Sequence, residues 1–185
     1  KIIKVRSKEM HNCGKQSSGK MVAIFSSDYI KIHKIIDNIH SSVVIANYNS
    51  KNQTIISGGK DEIDIIIQIL KKNKFRLIPL NVSGAFHSPL MNDVKKSLNH
   101  IINKSNFQNI NIPIYQNYNP IKNFESHLIK KNLIKQINSP VKWIATINNM
   151  YSDGLSNFIE VGPGSVLCKL NKNINSDIIC TNFNK

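Results

Sequence analysis

Three features of this 185-residue sequence predict an α/β fold that carries a small ferredoxin-like unit. Between residues 18 and 80 the apolar pattern switches between period two and period 3.6 in the order β-α-β-β-α-β. Beyond residue 81 helical stretches alternate with short apolar strands, which implies a parallel layer covered by helices. Two strand–turn–helix corners, "GAFHSPL" and "EVGPGSVL", sit where such layers place their chemistry.

The elements follow from local pattern. Residues 1–12 read as the end of a helix, broken around "NCGKQSSGK". "KMVAIFS" (20–26) is apolar and strand-like. "SDYIKIHKIIDNI" (27–39) places Ile32, Ile35, Ile36 and Ile39 at helical spacing behind a Ser/Asp start. "VVIANYN" (43–49) and "QTIISGG" (53–59), joined by "SKN", give a hairpin. "KDEIDIIIQILKKN" (60–73) has acids in its first turn and lysines in its last, matching the helix dipole. "KFRLIPL" (74–80) closes the unit.

Downstream, "SPLMNDVKKSLNHIINKS" is expected to be a helix, "IPIYQN" a strand and "ESHLIKKNLIKQI" a helix. "SPVKWIATINNMY" is expected to start a helix with a Ser cap and Pro in the first turn. "NFIEVG" reads as a buried strand leading into a helix over "PGSVLCKLNKNI". In that corner, close helix–strand packing through Gly162 and Gly164 is preferred over a phosphate cradle. These strands are too few for a complete sheet. The first residue is Lys1, within what reads as mid-helix, so the chain is expected to be a fragment.

Composition narrows the function. The net charge is +14, with 25 Lys and Arg against 11 Asp and Glu. The lysines are scattered, so they read as diffuse solvated faces able to attract an acidic partner at long range. No signal peptide or membrane-length apolar run is visible, and a cytoplasmic location, or an organelle stroma in a eukaryote, is expected. Cys13, Cys168 and Cys180 are odd in number and widely spaced, which favours a reducing interior. The six histidines never fall in HxxxH or HExxH spacing, and no metal site is expected.

His87 carries the chemistry. It follows a small-residue turn at the mouth of a strand-to-helix connection, although a lone histidine more often caps or packs. Five stretches shift that balance: "VRSKEM" (5–10), "NYNSKNQTIISG" (47–58), "VSGAFHSPLM" (82–91), "KQINSPVKW" (135–143) and "FIEVGPGSVL" (158–167). In order and spacing this set resembles the malonyl-CoA:acyl-carrier-protein transacylase family and the related acyltransferase domains of polyketide synthases.

The resemblance implies the C-terminal part of an α/β-hydrolase-like acyltransferase domain. Residues 1–17 and 81–185 would form a partial large domain and residues 18–80 the inserted ferredoxin-like subdomain. It implies transfer of malonyl from coenzyme A to a serine, then to the phosphopantetheine thiol of acyl carrier protein, with no bound cofactor. His87 matches the general base and Gln136 the residue whose main-chain carbonyl orients it. Arg6 matches the arginine that holds the malonyl carboxylate, a task for a planar fork rather than an ammonium. Phe86 matches the acyl-selectivity position, and Asn47 and Asn49 match asparagines lining the cleft. Ser88 is expected to cap the helix after His87.

One departure is large. The family's nucleophile sits in GxSxG on a strained elbow, and no GxSxG occurs in these residues. The serine is therefore expected from a separate N-terminal segment, and the fragment alone is expected to be inactive. Ser7 stands where many relatives have glycine. Rival readings are a trans-acting polyketide acyltransferase or acyl hydrolase, a decayed remnant that docks carrier protein, and a non-catalytic basic module binding RNA. The last needs aromatic residues on its central strands for base stacking, and "QTIISGG" and "KMVAIFS" offer only Phe25, at a strand end.

Overall fold

The computed structural model describes residues 1–39 and 42–183. Helix α1 (Ile2–Ser17) leads into strand β1 (Gly19–Phe25). Then follow α2 (Tyr29–Asp37), β2 (Val44–Ser50), β3 (Gln53–Gly59), α3 (Lys60–Lys72) and β4 (Arg76–Pro79). The Asp28 side chain accepts the Lys31 N–H and so starts α2. Asp61 and Glu62 open α3 and Lys71 and Lys72 close it, as the charge pattern requires.

These four strands form one sheet in the order β2-β3-β1-β4, every neighbour antiparallel. Strand alternation gives each face its own task. Val22, Ile24 and Ile56 point to one side, where they pack with Ile32, Ile36, Ile63, Ile66 and Leu70 of the two helices. Each such side chain contributes roughly 1.5–3 kcal/mol by leaving water. Met21 and Ile55 point to the other side, towards the remainder of the chain.

That remainder is more irregular. A 3-10 turn (Pro89–Met91) precedes α4 (Val94–Asn103), and β5 (Ile114–Tyr115) pairs antiparallel with β6 (Lys122–Asn123). Helix α5 (Ser126–Lys135) runs into a 3-10 turn (Gln136–Asn138). Helix α6 (Trp143–Ser152), β7 (Asn157–Glu160), α7 (Val166–Ile174) and β8 (Ile179–Asn182) complete the chain. Met10 of α1 packs with Met91, Val94, Leu98, Ile102 and Ile137 in a second core. Ile147, Ile174 and Ile178 anchor a third around α6 and α7.

Several expectations from sequence need correction. α1 does not break at "NCG": it runs through Gly14 to Ser17 and ends at Ser18, whose φ of 43° stops it. Gly14 is buried against the chain at Ser83 and Gly84, so tertiary contact outweighs its poor helix propensity. "SPV" does not begin α6. The Val141 N–H donates to the Ala46 carbonyl and its carbonyl accepts from Tyr48, so this segment runs extended beside β2. "IPIYQN" forms only the two-residue β5 of a small hairpin, not a parallel strand. The parallel layer among the described residues is the pair β7–β8, and β8 was not foreseen.

The glycines of "GPG" were expected to permit close packing. A Cβ at Gly162 or Gly164 would meet nothing within 4 Å, so that reason fails. Gly164 is required by its φ of 81°, a left-handed conformation. The cysteine count also misleads: Cys168 and Cys180 form a disulfide and Cys13 is the free thiol.

Candidate active site

His87 sits at φ 61°, uncommon for a residue with a side chain. The turn that imposes it swings the imidazole back over the 3-10 turn after α5. There His87 Nδ1 lies 3.0 Å from the Gln136 carbonyl oxygen and 3.1 Å from that of Ser139. Both partners can only accept, so Nδ1 carries the hydrogen and Nε2 is left as the basic nitrogen. Gln136 was expected from sequence. Ser139 was not, because a main-chain acceptor leaves no trace in residue type.

Ser88 fixes the next link. Its hydroxyl donates to the Ala85 carbonyl at 2.7 Å and accepts the Leu90 N–H at 3.3 Å. The expected cap is thus made, on a 3-10 turn rather than an α-helix. The extended segment after Ser139 has a second consequence. One strap supplies the Ser139 carbonyl to His87 and the Val141 backbone to β2.

His87 and Arg6 line the same cavity, of about 430 Å³. Arg6 comes from α1, together with Ser7, Met10 and His11. Met21 and Ile55 come from the free face of the sheet, and Phe86 borders His87. Phe86 also packs against the core around Met91, so it both shapes the cavity and holds the turn. Asn47 lines the cavity beside its cross-strand partner Ile55. Asn49 does not: its Nδ2 donates to Gln53 Oε1 at 3.0 Å near the hairpin tip, which corrects its expected place.

Among the described residues the ionisable groups lining the cavity are Arg6, His11 and His87, with no carboxylate, a set that favours an anion over a cation. Arg6 Nε is buried without a hydrogen-bond partner, and so is Asn47 Oδ1. A buried donor in that condition is costly unless a ligand satisfies it. Burial pulls the Arg6 pKa below its ordinary value. Burial likewise lowers the His87 pKa; its two carbonyl partners oppose this and the Arg6 charge adds to it. Burial and the Arg6 charge thus both favour the neutral imidazole, a form that can accept a proton at Nε2.

Comparison with known proteins decides the family. A family described as "Acyl transferase domain" matches residues 1–177. The chain belongs to the acyl transferase domain family. Within that family it is 34% identical over 187 residues to the malonyl CoA-acyl carrier protein transacylase of Staphylococcus aureus strain MSSA476, covering 99% of this chain. Among solved structures it resembles an acyl carrier protein S-malonyltransferase from Vibrio cholerae, with a TM-score of 0.93 and 28% identity over 100% of this chain. It also resembles a malonyl-transacylase solved in complex with a type II polyketide acyl-carrier protein, with a TM-score of 0.93 and 25% identity over 100% of this chain. The chain spans about 61% of the S. aureus relative, 61% of the V. cholerae chain and 60% of the third.

Proposed function

We propose that this acyl transferase domain chain takes part in moving a malonyl group from coenzyme A to the phosphopantetheine thiol of acyl carrier protein. The observation that carries the reading is the shared cavity: a carbonyl-oriented His87 and a half-buried Arg6 whose Nε is buried without a partner. The malonyl carboxylate pairs with Arg6. A serine hydroxyl attacks the thioester carbonyl and passes its proton to His87 Nε2. Collapse of the tetrahedral adduct expels the coenzyme A thiolate, which takes that proton. In the second half the pantetheine thiol gives its proton to Nε2 and attacks the ester, and the serine oxygen leaves with the proton restored.

These residues contain no GxSxG, so in this reading the serine comes from other polypeptide. Two observations support a fold that continues. Parallel sheets are normally covered on both faces, yet Ile159 and Ile179 of the parallel pair are 66% and 60% exposed. The relatives named above are also longer than this chain. In this reading residues 18–80 are a ferredoxin-like subdomain, supported by the antiparallel order β2-β3-β1-β4. Residues 1–17 and 81–185 belong to a larger α/β-hydrolase-like part. An RNA-binding role is disfavoured, because the free sheet face turns Met21 and Ile55 into the cavity and Phe25 is occupied by the Arg76 guanidinium.

The test joins the chain to a segment carrying GHSxG and measures transfer of malonyl and of acetyl groups. Arg6→Ala is expected to lower malonyl kcat/KM by at least ~30-fold, the low end of the range for truncating one partner of a buried charge pair, and to change acetyl transfer little. Equal losses for both acyl groups would refute the carboxylate role.

A further inference from the structure

Three glycines near the site adopt no left-handed backbone: Gly14, Gly19 and Gly84 are absent from the positive-φ residues. Conformational freedom does not explain them. Proximity does. A Cβ on Gly14 would lie 2.4 Å from the Ser83 carbonyl oxygen, and one on Gly84 would lie 2.6 Å from the Gly14 Cα. A Cβ on Gly19 would lie 2.4 Å from the Ala85 nitrogen. All three obstacles are backbone, which cannot swing aside as a side-chain tip does. The triplet Ser83–Gly84–Ala85 is thus threaded against the last turns of α1 and the first residue of β1.

This seam joins the two halves of the site. Arg6 lies eight residues before Gly14 on the same helix, roughly 12 Å at 1.5 Å per residue. His87 lies three residues after Gly84. Other α1 contacts here are made by side chains, among them Met10 and the Cys13 thiol, which donates to the Leu90 carbonyl at 3.1 Å, and such soft side chains tolerate small shifts. The backbone seam does not. We propose that Gly14 and Gly84 are positioning residues, whose backbone contact sets the spacing between the Arg6 guanidinium and the His87 imidazole. The proposal rests on the reading of Arg6 and His87 as one site. Relieving a 2.4 Å contact needs a displacement of about 1 Å, and a misplacement of that size can cost about 100-fold in rate.

The test uses the full 185-residue chain and NMR titration of the His87 imidazole, with no acyl substrate. In the wild-type background Arg6→Gln removes a like charge and should raise the His87 midpoint. In a Gly14→Ala background the same Arg6→Gln change should raise it by less than half as much. Ala inside a helix is otherwise favoured over Gly, which works against unfolding. Ala85→Gly, which only deletes a methyl from the slot, serves as the second background and should weaken the coupling in the same direction. An undiminished Arg6 effect in whichever backgrounds fold would overturn the seam while leaving the site reading intact. No Arg6 effect in the wild-type background would overturn both.

Discussion

At the scale of single residues, the chemistry depends on how the protein fixes one tautomer. Two carbonyls 3.0 and 3.1 Å from Nδ1 keep the proton there and the lone pair on Nε2. A carboxylate would do the same and also stabilise the imidazolium; carbonyls do so less. Burial therefore prevails, and the His87 pKa lies below 6.5. The sign for stability follows. The folded chain binds fewer protons than the unfolded chain between its own pKa and 6.5, so stability falls as pH drops through that window and is level above it. His87→Asn keeps a residue that tolerates positive φ and should flatten this dependence. Urea midpoints at neutral and mildly acidic pH check it; an unchanged slope would contradict the burial argument. For Arg6, Lys restores the charge without the fork. Arg6→Lys should thus recover only a small part of malonyl kcat/KM in the joined enzyme.

At the scale of elements, the corner between β7 and α7 illustrates how a motif can be misread. A Gly-rich strand-to-helix turn suggests an anion cradle, yet the protein fills that place itself. Buried Glu160 accepts the Leu167 N–H at 3.1 Å and the Cys168 N–H at 2.9 Å. It satisfies two of the free donors at the start of α7. Asn182 of β8 donates to the carbonyls of Gly162 and Gly164 and holds the turn from the other side. Glu160→Ala should cost about 2–3 kcal/mol, as loss of charge-assisted hydrogen bonds at a helix start, seen as a lowered denaturant midpoint. A loss below ~0.5 kcal/mol would mean that solvent replaces the carboxylate. The strap from Gln136 to Val141 shows the opposite error. "SP" before an amphipathic run is a fair helix start, but Ser139 and Val141 spend their backbone groups on His87 and β2 instead.

At the scale of the whole molecule, three small cores rather than one hold the described residues. The third, around α6, α7 and β8, is the smallest, and the Cys168–Cys180 bridge crosses it with a sequence separation of 12. A loop of that order contributes about 3 kcal/mol by restricting the unfolded chain. Cys180→Ser should therefore lower stability by about that amount without affecting the βαββαβ unit, readable as selective loss of hydrogen-exchange protection in α7. The sites 6, 87 and 136 fall in three stretches far apart in sequence. Their meeting needs α1 seated on the turn before His87 and the strap seated on β2.

The local pattern by itself determined most of the elements between residues 19 and 79, because period, caps and terminal charges there all agree and the unit closes its own core. It also marked His87, Arg6 and Gln136, since those residue types recur in a motif set that resembles a known family. Tertiary structure alone decided that α1 passes through Gly14, that Ser139 is a second acceptor for His87, that Asn49 lies outside the cavity and that Cys168 meets Cys180. Three of these rest on backbone or thiol groups meeting across long stretches of sequence, and Asn49 is turned by a local side-chain bond to Gln53; hydrophobic periodicity carries no record of either kind of contact.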